Sequence, residues 1–365
     1  MGLLATPSLS TTPHPASHTI AIAQVEQILL GARQRGADVP ALLQRAGIAP
    51  TLLASPLSRV TQAQYARLTH VLRHVLRDEL WGLCSRPVPP GSFAQTCRLL
   101  VGCATLGEAL EIGLRQYRLL IPDLVPRLQR HGDLVGVSAT PRTPLSPALV
   151  YAQRVFCFLS YGLASWLVGR RLPLLSVNYP ASAGGQVTEA AQLFRAPVQY
   201  GGQRMAWYFG EGCLALPVVQ NAQSLDAFLR QAPTSLLVRY RDQASVTERI
   251  RRILRLQLAA ELPALAQVAR QLDLTPQTLR RRLREEGQPG FRSIKDELRR
   301  DVAIGYLART ELALPEIARL LGFSEASTFH RAFKHWTGVA PGAYRQARLQ
   351  APHSSRMFAS LMILA

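Results

Sequence analysis

Residues 265–274, LAQVARQLDL, return 49 positions later as residues 314–323, LPEIARLLGF, and the organisation of the whole chain follows from that pair. Leu265, Val268, Ala269, Leu272, Leu274 and Thr275 land on Leu314, Ile317, Ala318, Leu321, Phe323 and Ser324. After one inserted residue the shift becomes 50, and Leu279, Arg281, Leu283 and Arg284 land on Phe329, Arg331, Phe333 and Lys334.

Two helices joined by a tight turn account for each copy. In the first, Leu265, Val268, Ala269 and Leu272 follow i, i+3, i+4, i+7 and make one apolar stripe on a short helix. Thr275 then caps a second helix, Pro276 takes its first position where a missing N–H costs nothing, and Gly287 stops it. At about 100° per residue, Leu279 and Leu283 mark the buried side and Gln277, Arg281 and Arg284 the opposite one. In the second copy Gly322 ends the first helix and Ser324 caps the next. There Phe329, Ala332, Phe333 and Trp336 face inward, Ser327, His330, Arg331 and Lys334 lie opposite or flank them, and Gly338 ends the helix. One arginine-rich amphipathic helix is as easily a solvated face. Two copies that both keep basic residues outward point to paired helix-turn-helix units that read DNA, arginine being suited to guanine O6/N7 and to phosphate.

Between the copies, Ser293 and Asp296 resemble a capping box opening a linking helix, with Ile294, Leu298 and Val302 four apart. About 15 residues make that helix roughly 22 Å long, a spacer on the order of the ~34 Å between successive major grooves on one face of DNA.

The remaining two thirds reads differently. A chain of 365 residues exceeds a single core, and 48% hydrophobic residues exclude a wholly disordered one. Residues 1–18 read as a disordered leader. Helical spacing follows to about residue 78, and again where Thr105 caps a helix with Leu106, Ala109, Leu110, Leu114 and Tyr117 on one face. The period then changes. Apolar runs flanking Arg130-His131-Gly132-Asp133 predict a hairpin whose first strand carries Pro126 and so belongs at a sheet edge. Short strands are expected at 174–179, 198–200 and 205–209, with a helix over 151–168. The expected fold is therefore two-domain: a mixed α/β (α+β) domain over 19–230, a linker over 231–244, and an all-α domain over 245–348 with two helix-turn-helix units joined by a linking helix, followed by a tail over 349–365.

Charge agrees with this division. The net charge is +19; residues 1–238 carry 20 basic and 11 acidic side chains (+9), and residues 239–348 carry 21 and 12 (+9) in less than half the length. Such an excess suits a polyanion. The apolar run over 155–169 falls short of the roughly 20 residues that cross a bilayer, so no membrane partner is expected. The five cysteines are odd in number and form no C-x-x-C pair, and the eight histidines lack metal-ligand spacings, His70 and His74 reading as a solvated helix face. No metal, cofactor or catalytic residue is expected. A DNA-repair alkyl acceptor fused to a DNA-binding domain is the enzymatic alternative; it needs a reactive cysteine, and none stands in a Pro-Cys-His context.

Residues 315–324, PEIARLLGFS, with 329–334, FHRAFK, and Gly338-Val339-Ala340-Pro341 before Tyr344-Arg345, resemble the C-terminal region of the AraC/XylS transcription factors over roughly residues 246–348. That resemblance implies a seven-helix domain, with base-reading positions at Gln277, Arg280 and Arg281 and at Ala326, Ser327, His330 and Arg331; Ala326 has no side-chain hydrogen-bonding group. Thr275, Arg284, Ser324 and Lys334 are the corresponding phosphate contacts. Residues 42–48, Arg59-Val60-Thr61, residues 106–110 and 194–200 are similar to the arabinose-binding-type sensor of the ornithine-regulator branch. The resemblance implies that the domain over 19–230 is an effector-sensing and dimerisation domain, and that the chain is a cytoplasmic homodimeric regulator or activator working with promoter DNA, RNA polymerase and a small-molecule effector. The +9 of the front half favours a carboxylate effector.

Overall fold

The hairpin forms where the change of period predicts it. β3 (Leu124–His131) pairs antiparallel with β4 (Leu134–Pro141), Leu124 facing Pro141 and His131 facing Leu134. Gly132 takes a φ of +58° in the two-residue turn, a conformation that favours glycine. The computed structural model describes residues 19–179, 194, 196–201, 204–230, 245–260, 262–286, 288–309 and 312–349. The expected leader and linker, the tail beyond residue 349 and the Gly287 stop lie outside the described residues.

Beside β4 runs β7 (Met205–Gly210), then β5 (Leu174–Tyr179), with β6 (Val198–Tyr200) parallel to β5, in the order β3-β4-β7-β5-β6. β3 is thus an edge strand, as Pro126 requires. Gly136 faces Tyr208 across the β4–β7 pair, where a Cβ would stand 2.6 Å from the ring. The inner face, fully buried at Val135, Val137, Ala139, Trp207 and Phe209, is covered by α7 (Pro147–Leu167). Ser146 caps that helix by accepting from the Leu149 N–H, Gln153 donates to the Ala139 carbonyl, and the Trp207 indole donates to Ser160 Oγ.

Ahead of the sheet come α1 (Ile22–Ile28), α2 (Leu30–Gln34), α3 (Val39–Arg45), a 3-10 turn at Pro50–Ala54, α4 (Gln62–Leu76), α5 (Ser92–Leu100) and α6 (Leu106–Leu120). Thr105 accepts from the Glu108 N–H at the start of α6, as expected. A two-stranded ribbon of β1 (Thr19–Ala21) and β2 (Arg59–Thr61) has no counterpart in the sequence reading. Thr61 ends that ribbon and starts α4: its Oγ1 accepts from the Gln64 N–H while Gln64 Oε1 accepts from the Thr61 N–H. α8 (Ala222–Leu229) closes the front half among the described residues.

The C-terminal part contains α9 (Val246–Leu256), α10 (Leu265–Gln271), α11 (Pro276–Glu285), α12 (Phe291–Arg309), α13 (Leu314–Leu320), α14 (Ala326–Thr337) and α15 (Pro341–Leu349), the seven helices implied by the resemblance. The main buried core runs without a break from Ile22 to Tyr344, through both halves. A smaller cluster, including Phe93, Leu100, Leu163 and Leu225, lies apart from it between α5, α6, α7 and α8.

Candidate nucleic-acid interface

The 49-residue repeat is visible atom by atom in the two turns. In the first, the N–H groups of Leu272, Asp273 and Leu274 donate to the carbonyls of Val268, Arg270 and Ala269; in the second, those of Leu321, Gly322 and Phe323 donate to Ile317, Arg319 and Ala318. The last bond of each set, reaching back five residues, is a helix-ending bond that a left-handed residue makes possible. Asp273 at φ +56° and Gly322 at φ +74° supply that residue at equivalent positions. Glycine is doubly required in the second turn, since a Cβ there would meet the Leu258 and Ala260 carbonyls at 2.8 Å.

α11 is seated by fully or nearly fully buried Leu279 and Leu283, and α14 by Phe329 and Phe333. Their other sides carry the expected residues outward: Gln277, Arg280, Arg281 and Arg284 on α11, and Ser327, His330, Arg331 and Lys334 on α14, are all exposed. Thr275 caps α11 as expected, its Oγ1 accepting from the Thr278 N–H at 3.1 Å. Ser324 does not cap α14. The helix begins at Ala326, the cap position falls on Glu325, and Ser327 Oγ donates to the Glu325 carboxylate. The cap falls one residue later because the inserted residue precedes the helix: the position 50 past Thr275 is Glu325, while Phe323, tilted against Phe329 and Trp336, keeps the place of Leu274. On α11, Arg281 pairs with Glu285 at 3.2 Å one turn on.

The linking helix α12 fixes the two units to each other. It starts at Phe291, so Ser293 and Asp296 fall inside its first turns and do not form its cap. Its 19 residues span about 28 Å, longer than the expected 22 Å. Lys295 donates to the Leu262 carbonyl ahead of the first unit, and one turn later Arg299 donates to the Leu321 carbonyl in the turn of the second, its guanidinium lying 5.1 Å from the Phe323 ring. Arg251 of α9, 1% exposed, pairs with Glu297 and Asp301 of α12. Glu286, at the end of α11, accepts from Val246 N–H, Thr247 N–H and Thr247 Oγ1 and so seats α9 on α11. These anchors were missed in the sequence because each joins helices distant along the chain; the signal was a charged residue interrupting an apolar face, as at Arg251.

The front half touches this domain away from the outward faces of α11 and α14. Thr19 Oγ1, which also accepts from Arg59 Nε, donates to Asp301 at 2.5 Å. Tyr344 of α15 donates its hydroxyl to the Arg59 carbonyl at 2.6 Å, and Ser55 donates to the Thr337 carbonyl at the end of α14. Gly338, at φ +72°, lies so close that a Cβ would stand 2.3 Å from Ser55 Oγ. The unforeseen ribbon thus meets the linking helix and α15, while Ser55, just after the 3-10 turn, meets the end of recognition helix α14.

Two rigidly linked helix-turn-helix units with exposed basic recognition helices, joined to a mixed α/β domain, define a DNA-binding transcription regulator. Residues 36–218 match the family model described as the arabinose-binding domain of AraC transcription regulator, N-terminal, and residues 268–347 match that of a helix-turn-helix domain. The chain belongs to the AraC family of transcription regulators, with an N-terminal ligand-binding domain. It is 27% identical over 332 residues to the ornithine utilization regulator of Pseudomonas aeruginosa, covering 90% of this chain and 96% of that protein. It is 40% identical over 102 residues to the transcriptional regulator VirS of Mycobacterium tuberculosis, covering 28% of this chain and 30% of that one. Among solved structures, the transcriptional regulator CdpR of Pseudomonas aeruginosa matches with 24% identity and a TM-score of 0.30, covering 88% of this chain and 98% of that chain. Among the described residues no helix is long and apolar enough to cross a membrane.

Proposed function

We propose that this regulator reads promoter DNA through Gln277, Arg280 and Arg281 of α11 and Ser327, His330 and Arg331 of α14, with Thr275, Arg284, Ser324 and Lys334 on phosphates. The observation that carries the assignment is the common exposure of these side chains opposite the buried Leu279, Leu283, Phe329 and Phe333. The functional units are a front domain over 19–230, a linker over 231–244 and a DNA-binding domain over 245–348. The protein acts in the cytoplasm as a homodimer formed through the front domain, and responds to a small effector by changing its contacts with DNA and RNA polymerase. It performs no covalent step. Burial pushes the Cys84, Cys97 and Cys157 thiols up to about 12 and raises that of Cys103, which suppresses at those four the thiolate that an alkyl acceptor requires. Net charge alone favours a carboxylate effector, whereas the cavity between α5, α6 and α7, lined by Glu79 and by no basic residue, does not. Selection from random duplexes with the full chain tests the DNA assignment: the expected product is a motif with two elements about one helical turn apart. Recovery of no preferred sequence at physiological salt overturns it.

A further inference from the structure

We propose that a cavity between α5, α6 and α7 is the effector site, and that it takes a small uncharged molecule with an apolar body and one hydrogen-bond-donating end, of the short-chain alcohol class. The proposal rests on the reading of the front half as an effector-binding domain.

The cavity, about 70 Å³, lies on the seam between the two buried clusters. On one side Leu114 and Phe156 belong to the main core; on the other Leu100 and Leu163 belong to the smaller cluster. Interiors normally pack at crystal density, so apolar surfaces that face each other without interdigitating are an exception. Small residues keep them apart: Ala109 and Gly113 on α6 and Ala164 on α7 line the space, and a Cβ added at Gly113 would lie 3.3 Å from Leu100 Cδ1.

One end of this apolar space is polar. Glu79, Thr96 and Tyr117 line it together. The Glu79 carboxylate is held in place, accepting from the N–H groups of Gly91 at 2.7 Å and Phe93 at 2.8 Å. Its loop is fixed in turn by buried Asp78, which accepts from the N–H groups of Leu80, Gly82 and Val88. Burial raises the Glu79 pKa, the mark of an acidic group short of solvent. No lining residue is basic. A carboxylate ligand would enter without a countercharge and beside a second carboxyl, unfavourable on both counts. An ammonium ligand would leave water for an apolar space whose one carboxylate already accepts two N–H bonds. A hydroxyl loses least, since it can donate at the Glu79 end while its chain meets leucine and phenylalanine. An engineered apolar cavity of about 150 Å³ holds benzene, which like a five-carbon alcohol has six heavy atoms, so this space of about 70 Å³ takes shorter alcohols as it stands and a five-carbon one only as α5 and α7 move apart.

The test uses the full chain with 1-pentanol and valerate, which share a five-carbon skeleton and differ at the polar end. Pentanol is expected to raise the thermal midpoint in a saturable way at neutral pH, and valerate to bind at least about tenfold more weakly. Ala164→Leu, which fills the space, is expected to abolish the pentanol shift; should that variant not fold, Gly113→Ala is expected to weaken it. Glu79→Gln is expected to narrow the difference between the two probes. Equal or tighter binding of valerate, no pentanol shift in the wild type, or a pentanol shift unchanged in the filled variants overturns the proposal. If the cavity fails while the wild type still selects an operator and answers to another metabolite, only this site is lost. If no metabolite alters transcription, the effector reading itself falls.

Discussion

At the turn of the first helix-turn-helix unit the left-handed residue is Asp273, which the backbone tolerates; at the same place in the second it is Gly322, which the neighbouring Leu258 and Ala260 carbonyls leave no alternative. The recognition helices differ in the same sense. α11 buries two leucines and carries four arginines at 280, 281, 282 and 284, and among the described residues its hydrogen bonds and ion pairs stay within the DNA-binding domain. α14 buries Phe329 and Phe333, which pack with Phe323 and Tyr344, and its end is touched by Ser55. One backbone motif has been used twice for different purposes. The first unit concentrates charge, and the second concentrates rigidity and the link to the sensor.

Core truncation should break that comparison most strongly. Phe333→Ala is expected to cost about 3–5 kcal/mol, toward the upper part of the range for large-to-small changes, because it also removes the edge contact to Tyr344. Leu283→Ala should cost about 2–5 kcal/mol but lie below it, since no aromatic neighbour is lost. The shift in urea midpoint of the full chain, resolved by domain, measures both. A larger loss at Leu283 would mean that the aromatic cluster is not what stiffens the second unit.

Next in size comes the pair of turn residues. Gly322→Ala combines left-handed strain with displacement of two carbonyls and should cost about 2–3 kcal/mol. Asp273→Gly should change stability by less than about 1 kcal/mol, as strain relief offsets a more flexible unfolded chain. Equal effects measured by thermal unfolding would remove the asymmetry between the units.

These two turns also mark what the sequence disclosed and what it did not. The repeat, the hairpin with its edge Pro126 and the strands at 174–179 and 198–200 were legible because period, turn residues and caps act over a few neighbours. Thr275 followed by Pro276 was legible for the same reason, and Ser146 with Pro147 is the same pattern overlooked. The ribbon was not, since Thr19 and Thr61 pair across a 42-residue separation with three residues per strand. Ser324 and Ser293 were misread as caps because a serine near a helix start is permissive: the inserted residue moves the start of the second recognition helix past Ser324, and the linking helix already begins at Phe291, ahead of Ser293. Lys295 and Arg299 gave no sign of being anchors, and Arg251 only the sign of a charge on an apolar face, since the partners of all three are fixed by tertiary structure.

On DNA the units should be closer to equal. Arg281→Ala and Arg331→Ala are each expected to lose about 1–3 kcal/mol on the selected site and to relax one base position. Arg284→Ala and Lys334→Ala should weaken all sequences alike and reduce the salt slope by about one unit each. An unchanged motif at unchanged affinity in the Arg331→Ala protein would remove α14 from base reading. Tyr344→Phe, which deletes the hydrogen bond to the Arg59 carbonyl, should cost about 0.5–1.5 kcal/mol and speed amide exchange around the ribbon while leaving the motif intact.

The smallest effect addresses why one arginine is tethered. Arg281 is held by Glu285 one turn along α11, whereas the residue equivalent to Glu285 in the second unit is His335, so Arg331 has no acid at that place. Both partners of the Arg281 pair are more than half exposed, so it contributes only about 0.3–0.5 kcal/mol to the helix. On a groove floor the guanidinium must turn from Glu285 to a base, and the carboxylate is left facing phosphates. Glu285→Gln should therefore lower stability by no more than about 0.5 kcal/mol and tighten DNA binding at low salt, the gain shrinking as salt screens it. The double variant with Arg281→Ala decides the cause. If Glu285→Gln tightens binding equally when Arg281 is absent, the carboxylate acts by repelling phosphate; if the gain disappears, it acts by restraining the arginine, and the first unit differs from the second in how its reader is released.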